Sequence, residues 1–556
     1  MKRKSKQLLA LLIACLMLIT IAACGKKTTD DASGSGGGAA AGGSPSSNSP
    51  DGAGGSGSSG DSGGAPGAGG PGSSDGGAGG PSTPGRTLNV GATADSGTLY
   101  PLGATGGYFS VLYAFYEPLF DYTQEGDRVW ALATNYDPIS DIQYTLKIRE
   151  GVTFSNGNPL TAEDVMFTME LCRDNPQFSL NVKAIDFEKT KVIDEYTIDV
   201  WYTVYNAAQE VGMSQMLIMD KESFDEVSLS IKPIGTGPYV VTDYVVNSHL
   251  YLQARQDYWG GTPAIENVHY FVINEEAQIV NALETGDIDI AGIPINEIDY
   301  VSSLGYNVET SNSAMNHAAW YSMLPGTPLE SKEARWAVSH AIDREAITDI
   351  LFKGRAEICN APVSKYCIDF EPRFANMHET YTIGYNPEKA RALAEQSGLI
   401  GKSLRIITNG ASANNTLAEI IQGSLLEIGV GSEIIAYDQA AFFGTMMDAS
   451  NFEIAVFNPA APSMMAVDVL AMYLTFIPLG WEGADRDRYF GYSMGAIGTA
   501  EERARQDKLF DAINMWVEFD PWFGLCEVIT TRAYSNDLRG MESQTGYIYY
   551  CDLSWG

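Results

Sequence analysis

The sequence predicts an α/β protein with at least two lobes, on three observations. Residues 86–556 have a globular composition, and a chain of that length exceeds what one hydrophobic core usually supports. Between residues 404 and 457, strand-type and helix-type segments alternate. Residues 268–290 follow the order strand, helix, strand. Such alternation is typical of a parallel sheet covered by helices, so α/β is the expected fold class.

The first 24 residues have the pattern of a bacterial lipoprotein signal. A basic start precedes the apolar run Leu8–Ile21, which suits a signal peptide and is short for a membrane span. Ala22 and Ala23 then precede Cys24, an order that fits the lipobox, in which the cysteine sulfur takes a diacylglycerol. We predict a signal peptide at 1–23 and lipidation at Cys24. The alternative is an ordinary cleaved signal with no role for Cys24.

Residues 24–85 are predicted to be a lipid-anchored, flexible linker. Gly, Ser, Ala, Pro and Asp dominate the segment, so it cannot bury enough apolar surface to offset its chain entropy. Its r.m.s. reach as a coil is roughly 45 Å. A stalk of this kind suits a Gram-positive surface, so the folded part is expected on the outer face of the cytoplasmic membrane.

The stretch 234–290 has the clearest local pattern in the chain. Gly235, Gly237 and Pro238 mark a turn at its start, because glycine permits positive φ and proline fixes φ. Three runs rich in β-type residues predict strands at 239–241, 250–252 and 268–273. The aromatic turn DYWGG lies at 257–261.

A helix is predicted to follow these strands. Ile279, Val280 and Leu283 form its apolar stripe. Asn274 is expected to cap its start and Gly286 to mark its end. Further helix starts are predicted elsewhere, at a capping box beginning with Thr161 and at Asn386 followed by Pro387.

Together, these segments resemble the solute-binding proteins of peptide and nickel ABC importers. The motifs are GTGPY, DYWGG and NALETGDIDI within 234–290, YTLKIREGVTFSNGNPLTAEDV at 144–165 and ARWAVSHAIDREAI at 334–347. They stand in the order typical of the family, and the resemblance covers about 86–540. It implies a periplasmic-binding-protein type II fold, with two lobes joined by a hinge and an extra subdomain in lobe I.

The resemblance also implies domain boundaries. The implied domains are lobe I at 86–318 with an inserted subdomain at 131–230, lobe II at 319–525, and a return to lobe I at 526–556. Crossings near 317–323 and 522–531 would form the hinge, and a ligand between the lobes would favour the closed state.

By position in the family, the cleft is expected to be lined by the loop 103–108 and by the segment 458–463. The candidate ligand-binding residues are Tyr100, Ala104, Thr105, Tyr108, Tyr321, Asn458, Ala460 and Trp481. Core packing is the alternative role for each aromatic residue. In peptide-binding relatives an Asp pairs with the free amine of the ligand, but Pro462 stands at that position here. This departure weighs against an ordinary free peptide, although Asp468 could substitute.

The cysteines suggest disulfides and no metal site. Cys359 and Cys367 bracket a proline-containing loop and could form a disulfide in an exported protein. Cys526 with Cys551 is a second candidate pair, and Cys172 is expected to be a buried thiol. No C-x-x-C spacing occurs, so no zinc site is predicted.

The G-x-S-x-G sequence at 491–495 matches the nucleophile elbow of α/β-hydrolases. The elbow needs a buried strand before it, whereas the charged residues 485–488 stand there. All five histidines precede Ser493, against the hydrolase order. We therefore predict a turn at this motif, and a protein that is not an enzyme and uses no cofactor or metal.

The function implied by the resemblance is that of an ABC importer's substrate-binding lipoprotein. It would capture a small solute, most simply a peptide-like one, and deliver it to the permease subunits in the membrane. The formal charge of −34 argues against nucleic acid as a partner, because phosphate binding needs clustered Lys and Arg. The alternatives are a surface binding subunit of a sensory system and a secreted hydrolase.

The lipobox interpretation predicts the result of one substitution. Cys24→Ala removes the sulfur that takes the lipid, so the protein should appear in the medium or remain unprocessed. Fractionation and intact-mass measurement of the host's protein check this. A variant that is fully processed and still held at the membrane would contradict the interpretation.

Overall fold

The computed structural model describes residues 85–104, 111–123, 126–175, 178–458, 465–476, 479–541 and 548–556. Four of the predicted site residues, Cys24, Thr105, Tyr108 and Ala460, lie outside the described residues, as does the predicted signal peptide. The described part is a mixed structure of strands and helices.

The strands and helices are distributed along the whole described part. The described strands are β1 (Leu88–Ala92), β2 (Phe120–Tyr122), β3 (Arg128–Trp130), β4 (Ala133–Ser140), β5 (Gln143–Ile148), β6 (Lys191–Asp194), β7 (Thr197–Trp201), β8 (Tyr239–Val245), β9 (His249–Ala254), β10 (Asn267–Val272), β11 (Ile290–Gly292), β12 (Tyr306–Tyr321), β13 (Ser403–Thr408), β14 (Gly431–Ala436), β15 (Ile454–Phe457), β16 (Trp522–Ser535), β17 (Leu538–Arg539) and β18 (Ser554–Trp555). The described α-helices are Ala162–Asp174, Ser179–Val182, Gln209–Ser214, Glu226–Leu229, Glu276–Thr285, Ile298–Ser303, Lys332–Ala341, Arg344–Phe352, Met377–Thr380, Pro387–Gln396, Ser412–Glu427, Gln439–Met446, Ala466–Phe476, Ala484–Ile497 and Glu502–Phe519. None of these helices is both long and apolar enough to cross a membrane.

The main sheet has ten strands, in the order β14-β13-β15-β12-β16-β11-β1-β10-β9-β8. At one end, β13 pairs in parallel with β14 and β15. Towards the other end, β1 pairs in parallel with β10 and β11. Helices connect the strands of each parallel group, so the predicted alternation of strand and helix is confirmed. A separate four-stranded sheet has the order β4-β5-β7-β6.

The predicted helix signals are confirmed in all but one case. Gly286 ends helix Glu276–Thr285 in the left-handed region, with φ of 73°. At Thr161 the backbone N–H donates to the Asp164 carboxylate at 2.8 Å, and Asn386 caps the helix that begins at Pro387. The prediction of Asn274 as an N-cap was wrong. The backbone stays extended one residue longer, so Glu275 is the N-cap.

Two long antiparallel strands, β12 and β16, join the parallel groups, and we call them the long-strand pair. They pair from Tyr306 with Ser535 to Trp320 with Trp522. The register shifts between Asn312 and Asn316, where β12 carries extra residues, and again just after His317. A bulge of this kind bends a strand and unpairs part of its ladder. The predicted crossings at 317–323 and 522–531 overlap this pair.

Two large hydrophobic cores lie on either side of the long-strand pair. One is built almost wholly from residues 314–526 and contains three indoles in contact: the centroid of the Trp522 ring lies 3.8 Å from that of Trp320, in a tilted arrangement, and 4.1 Å from that of Trp516, edge-on. The other is built from residues 88–290 and 538–553. The C-terminal tail therefore packs into the same core as β1.

The GTGPY turn is held by a buried arginine. Arg255 is 5% exposed, and its guanidinium donates to the carbonyl oxygens of Gly235, Thr236 and Gly237 at 3.2–3.4 Å. Burying a charge is costly unless it is hydrogen-bonded, and these carbonyls supply the bonds. The motif is thus part of the scaffold.

The DYWGG turn also serves packing. The Tyr258 hydroxyl and the Trp259 indole N–H donate to the two carboxylate oxygens of Glu117, at 2.7 Å and 2.9 Å. Glu117 is buried, and burial raises the pKa of its carboxyl group. The aromatic residues of the turn therefore satisfy a buried acid.

The G-x-S-x-G motif does not form a turn, so that prediction was wrong. Its residues lie inside helix Ala484–Ile497. Tyr489 and Ser493, four residues apart, are both buried on one face of this helix. Helical spacing places them together, whereas a nucleophile elbow requires a sharp connection from strand to helix.

The predicted disulfides are not formed in the structure. All five described cysteines, Cys172, Cys359, Cys367, Cys526 and Cys551, are free thiols. The Cys359 thiol instead donates to the carbonyl oxygen of Ala361 at 3.0 Å. Proximity in sequence across a proline-containing loop did not bring the two sulfurs of the first predicted pair into a bond.

The close packing of the GTGPY turn predicts a stability effect. A methyl group at Gly235 would lie 2.0 Å from the carbonyl oxygen of Phe115, so Gly235→Ala should lower the free energy of unfolding by about 1–3 kcal/mol. Urea unfolding monitored by fluorescence measures this. Gly423→Ala is the control, because this exposed helical position has no neighbour within 4 Å and should gain about 0.5–1 kcal/mol. Equal stability of the two variants would contradict the packing argument.

Candidate ligand-binding cleft

A cavity of about 710 Å³ lies at the carboxyl ends of β1 and β11. Ala92 and Thr93 at the end of β1, and Ile293 and Ile295 after β11, form one wall. The carboxyl ends of parallel strands meet at one edge of a sheet, where open α/β sheets bind their ligands. The fold therefore places a recess where a small molecule can be surrounded by backbone and side chains.

The long-strand pair forms the second wall. Glu309 and Arg532 are register partners and both line the cavity. Ser311 and Thr530 are the next pair on the same face, and their hydroxyl oxygens are hydrogen-bonded at 2.8 Å. Because these partners are opposite each other in an antiparallel ladder, their side chains project to the same face. This wall offers hydroxyl, carboxylate and guanidinium groups to a ligand.

The third wall comes from the other side of the long-strand pair. Phe352, at the end of helix Arg344–Phe352, belongs to the core of residues 314–526. Ala413 lies in the first turn of helix Ser412–Glu427. The cavity is thus bounded by elements of both cores, with the long-strand pair between them.

The charges of the cavity have both signs. Burial lowers the pKa of the Arg532 guanidinium, and Glu309 and Tyr550 act in the opposite direction. The arginine remains a cation at neutral pH, because the ordinary guanidinium pKa is far above it. Glu276 contributes an exposed carboxylate from the first turn of its helix. A ligand with separated positive and negative groups would find a partner for each.

His317 connects the long-strand pair to the third wall. Its Nδ1 lies 3.2 Å from Asn414 Oδ1, and its ring lies 5.4 Å from Phe352. Burial lowers the pKa of His317 to about 4, so the ring is neutral at pH 7 and Nδ1–H is the donor. Asn414 in turn donates to Asn409 Oδ1 at 2.9 Å. This chain of bonds positions the helix start that carries Ala413.

Two of the predicted ligand residues lie in the core of residues 88–290. Tyr100 is 7% exposed, and its ring lies edge-on to Phe224 at 6.1 Å. Burial raises its pKa to about 12. Ala104 is buried, and its N–H donates to the Tyr100 carbonyl at 3.1 Å. Neither residue lines the cavity, and their contact with a ligand stays a prediction.

Three more predicted residues lie near or in the other core. Tyr321 is completely buried, and its hydroxyl is bonded to Ser339 at 2.9 Å. Trp481 packs on Tyr489 and Phe519 at 5.4 Å and 5.1 Å. Asn458 follows β15 and is partly exposed. The cavity is not lined by these residues either, and their roles also stay predictions.

A comparison of the sequence with known families gives a clear match. The family described as "Bacterial extracellular solute-binding proteins, family 5 Middle" matches residues 129–476, more than half of the chain. The chain belongs to this family. The predicted family is thereby confirmed.

Relatives of this solute-binding protein are named after different ligands. A putative ABC transporter peptide-binding protein of Brucella ovis is 26% identical over 363 residues, which are 62% of this chain and 66% of that protein. The nickel-binding periplasmic protein of Escherichia coli is 26% identical over 372 residues, which are 60% of this chain and 68% of that protein. The chain thus spans just under two thirds of the Brucella relative.

A solved structure has the same fold. The ABC transporter substrate binding protein CtaP from Listeria monocytogenes superimposes with a TM-score of 0.75 at 23% sequence identity. The match covers 85% of this chain and 99% of that one. The predicted periplasmic-binding-protein type II fold is confirmed.

The residues that line the cavity of this solute-binding protein were missed by the sequence analysis. The strand β11 was expected from the order strand, helix, strand at 268–290, and the rule that ligands bind at the carboxyl ends of parallel strands would have pointed to the cavity. No local sequence pattern indicates that Arg532, Ala413 and Phe352 line the cavity. Their positions depend on strand register and on how the helices pack.

The position of Ala413 predicts that the cavity can be blocked from one side. Ala413→Trp adds an indole to the wall, so retention of a co-purified ligand, or affinity for an identified one, should fall at least ~10-fold, or ~1.4 kcal/mol. Native mass spectrometry or calorimetry measures this. Glu419→Trp is the control, since Glu419 is exposed on the same helix and does not line the cavity. Equal ligand retention by both variants would contradict a role for this cavity.

Proposed function

We propose that this protein captures a small solute between its lobes and delivers it to the permease subunits of an ABC importer. The observation that carries the proposal is the cavity bounded by elements of both cores and by the long-strand pair. A ligand that contacts both cores makes more contacts in the closed state than in the open state. It therefore binds the closed state more strongly and shifts the equilibrium towards it. No turnover of the solute is part of this proposal.

The lobes of the proposal keep the boundaries predicted from the sequence. Lobe I spans 86–318 with the inserted subdomain 131–230, and lobe II spans 319–525. Residues 526–556 return to lobe I, and the crossings at 317–323 and 522–531, which overlap the long-strand pair, form the hinge. The two separate cores support this division, as does the packing of residues 538–553 beside β1.

A peptide-like solute fits the charges of the cavity. A zwitterionic peptide carries an ammonium and a carboxylate group, and Glu309 or Glu276 and Arg532 could pair with them. The hydroxyl groups of Ser311 and Thr530 could bond to peptide groups between the ends. The Brucella relative is described as peptide-binding, which is consistent with this class. A nickel complex is the second candidate, because the Escherichia coli relative is described as nickel-binding.

The proposed location follows from the N-terminal sequence. Cleavage after residue 23 and lipidation of Cys24 would tether the protein to the outer face of the cytoplasmic membrane. Residues 24–85 would act as the tether, and a Gram-positive host suits a stalk of that length. From this position the folded part can meet both extracellular solute and the permease.

The capture mechanism predicts a ligand-dependent compaction. The chain without its signal peptide and lipid, purified from its host, should carry a solute that native mass spectrometry identifies. When that solute is removed and then added back, its addition should decrease the radius of gyration measured by X-ray scattering. The solute itself should be chemically unchanged. Tryptic peptide mixtures and nickel(II) with histidine are the probes if no solute co-purifies. Saturating binding with unchanged dimensions would contradict closure, and conversion of the solute would contradict a transport role.

A further inference from the structure

Two buried polar side chains, Asn316 and Glu527, are opposite each other in the long-strand pair. They are register partners where the ladder is irregular, and each is 2% exposed. Partners in an antiparallel pair project to the same face, with Cβ atoms about 4.5–5.5 Å apart. Both side chains therefore lie on one face of the pair and are almost completely buried.

The amide of Asn316 is oriented by its nitrogen. Nδ2 donates to the carbonyl oxygen of Pro362 at 3.3 Å and to the sulfur of Cys359 at 3.2 Å. A flipped amide would set its oxygen against the Pro362 carbonyl oxygen, so the observed orientation is the favourable one. In this orientation, Oδ1 has no hydrogen-bond partner among the described residues.

Glu527 has one satisfied oxygen and one that is not. Oε1 accepts the backbone N–H of Lys365 at 3.1 Å, whereas Oε2 has no partner within the described part of the chain. An ionised carboxylate and an amide oxygen both only accept hydrogen bonds. Two buried acceptors would then lie on one face of the pair without a donor, and each would keep the desolvation penalty of an unsatisfied polar group.

We propose that Glu527 is a neutral carboxylic acid in the folded protein, that its Oε2–H donates to Asn316 Oδ1, and that loss of this proton loosens the long-strand pair. One proton satisfies both atoms, since the acid supplies the donor that each side lacks. The bond joins β12 to β16 where their backbone ladder is irregular. The arrangement of the two lobes therefore depends on pH.

None of the described residues donates a hydrogen bond to Oε2, and the nearby Ser364 hydroxyl donates to the Ser313 carbonyl oxygen at 3.3 Å. The Lys365 ammonium is paired with the carboxylate of Glu357, which also accepts from the Tyr366 hydroxyl at 2.8 Å. Burial raises the pKa values of three nearby thiols, those of Cys359, Cys367 and Cys526, and lowers the pKa of His317. All four groups are therefore neutral at pH 7.

The acidity of Glu527 agrees with this geometry. Burial raises its pKa from 4.5 to about 7, against the lowering effects of the Ser364 hydroxyl and of Lys365. At pH values between 4.5 and about 7, Glu527 is protonated in the folded protein and ionised in the unfolded chain. By linkage, the stabilisation is complete below pH 4.5 and is lost as pH rises to about 7.

The proton lies close to the proposed cleft. Ile529, which lines the cavity, is two residues from Glu527 and projects to the same face of β16. On the opposite strand, the Ser313 hydroxyl donates to the Val528 carbonyl at 3.1 Å within the irregular segment. A change in the Asn316–Glu527 contact therefore acts directly on the cavity wall.

The stability test compares the full mature chain with Glu527→Gln across the pH window. The amide of the variant can donate to Asn316 Oδ1 and accept from Lys365 at every pH, so it mimics the neutral acid. Relative to the variant, the unfolding equilibrium constant of the original protein should rise by up to ~10-fold per pH unit in this window. Glu419→Gln, an exposed carboxylate on helix Ser412–Glu427, is the control and should follow the original protein. Parallel pH profiles for Glu527→Gln and the original protein would overturn the proposal.

Two measurements on the unaltered sequence make the test independent of how well the variant folds. Carbon-detected NMR of labelled glutamate, with the Glu527 signal assigned, should show that this carboxyl titrates near neutrality, and a Glu527 carboxyl that is ionised at pH 6 would overturn the proposal. X-ray scattering of the ligand-free protein should show a change in dimensions across the same pH window; if this change is absent, the coupling to the lobes is wrong. Because no ligand is involved, failure here leaves the proposed capture function standing.

Discussion

The antiparallel ladder between β12 and β16 is the interaction on which the rest of the structure depends. Each strand contributes to more than one core: Trp320 and Trp522 pack in the core of residues 314–526, whereas Ala533 packs against the helices that follow β10 and β11. The ladder also stands between the two groups of parallel strands in the sheet order. A shift of register along it would move apolar side chains to the wrong face of both halves at once.

The cavity is a consequence of that ladder and of the βαβ geometry beside it. Parallel strands end at one edge, and a crossover helix cannot fill the space beyond their ends. The long-strand pair closes one side of this space and brings Phe352 and Ala413 to another. The polar groups of the wall sit on strands held by main-chain hydrogen bonds, so their positions are set before a ligand arrives.

Local signals in the sequence predicted local structure well. Gly286 ends a helix because an αL residue is needed there, and Pro387 begins one because its missing N–H costs nothing at that position. The predictions that the structure does not match, a turn at Ser493 and a disulfide at Cys359, failed for the same reason. The helix around Ser493 and the free thiol of Cys359 are decided by tertiary packing and by partners far away in sequence, which a window of neighbouring residues does not contain. The same holds for the cavity, whose Glu309–Arg532 partners are brought together by strand register.

The two ends of the described chain meet at one place. The Arg86 guanidinium lies 3.6 Å from the centre of the Trp555 ring, and the indole N–H of Trp555 donates to the Arg86 carbonyl at 3.2 Å. The same arginine is paired with Asp289 and Asp537. The N-terminal and C-terminal residues of the folded part are therefore adjacent in space. Its termini could be joined by a short connector and the chain cut at an exposed loop elsewhere, which gives circular permutation as a route to placing a spectroscopic label or fusion partner away from this junction.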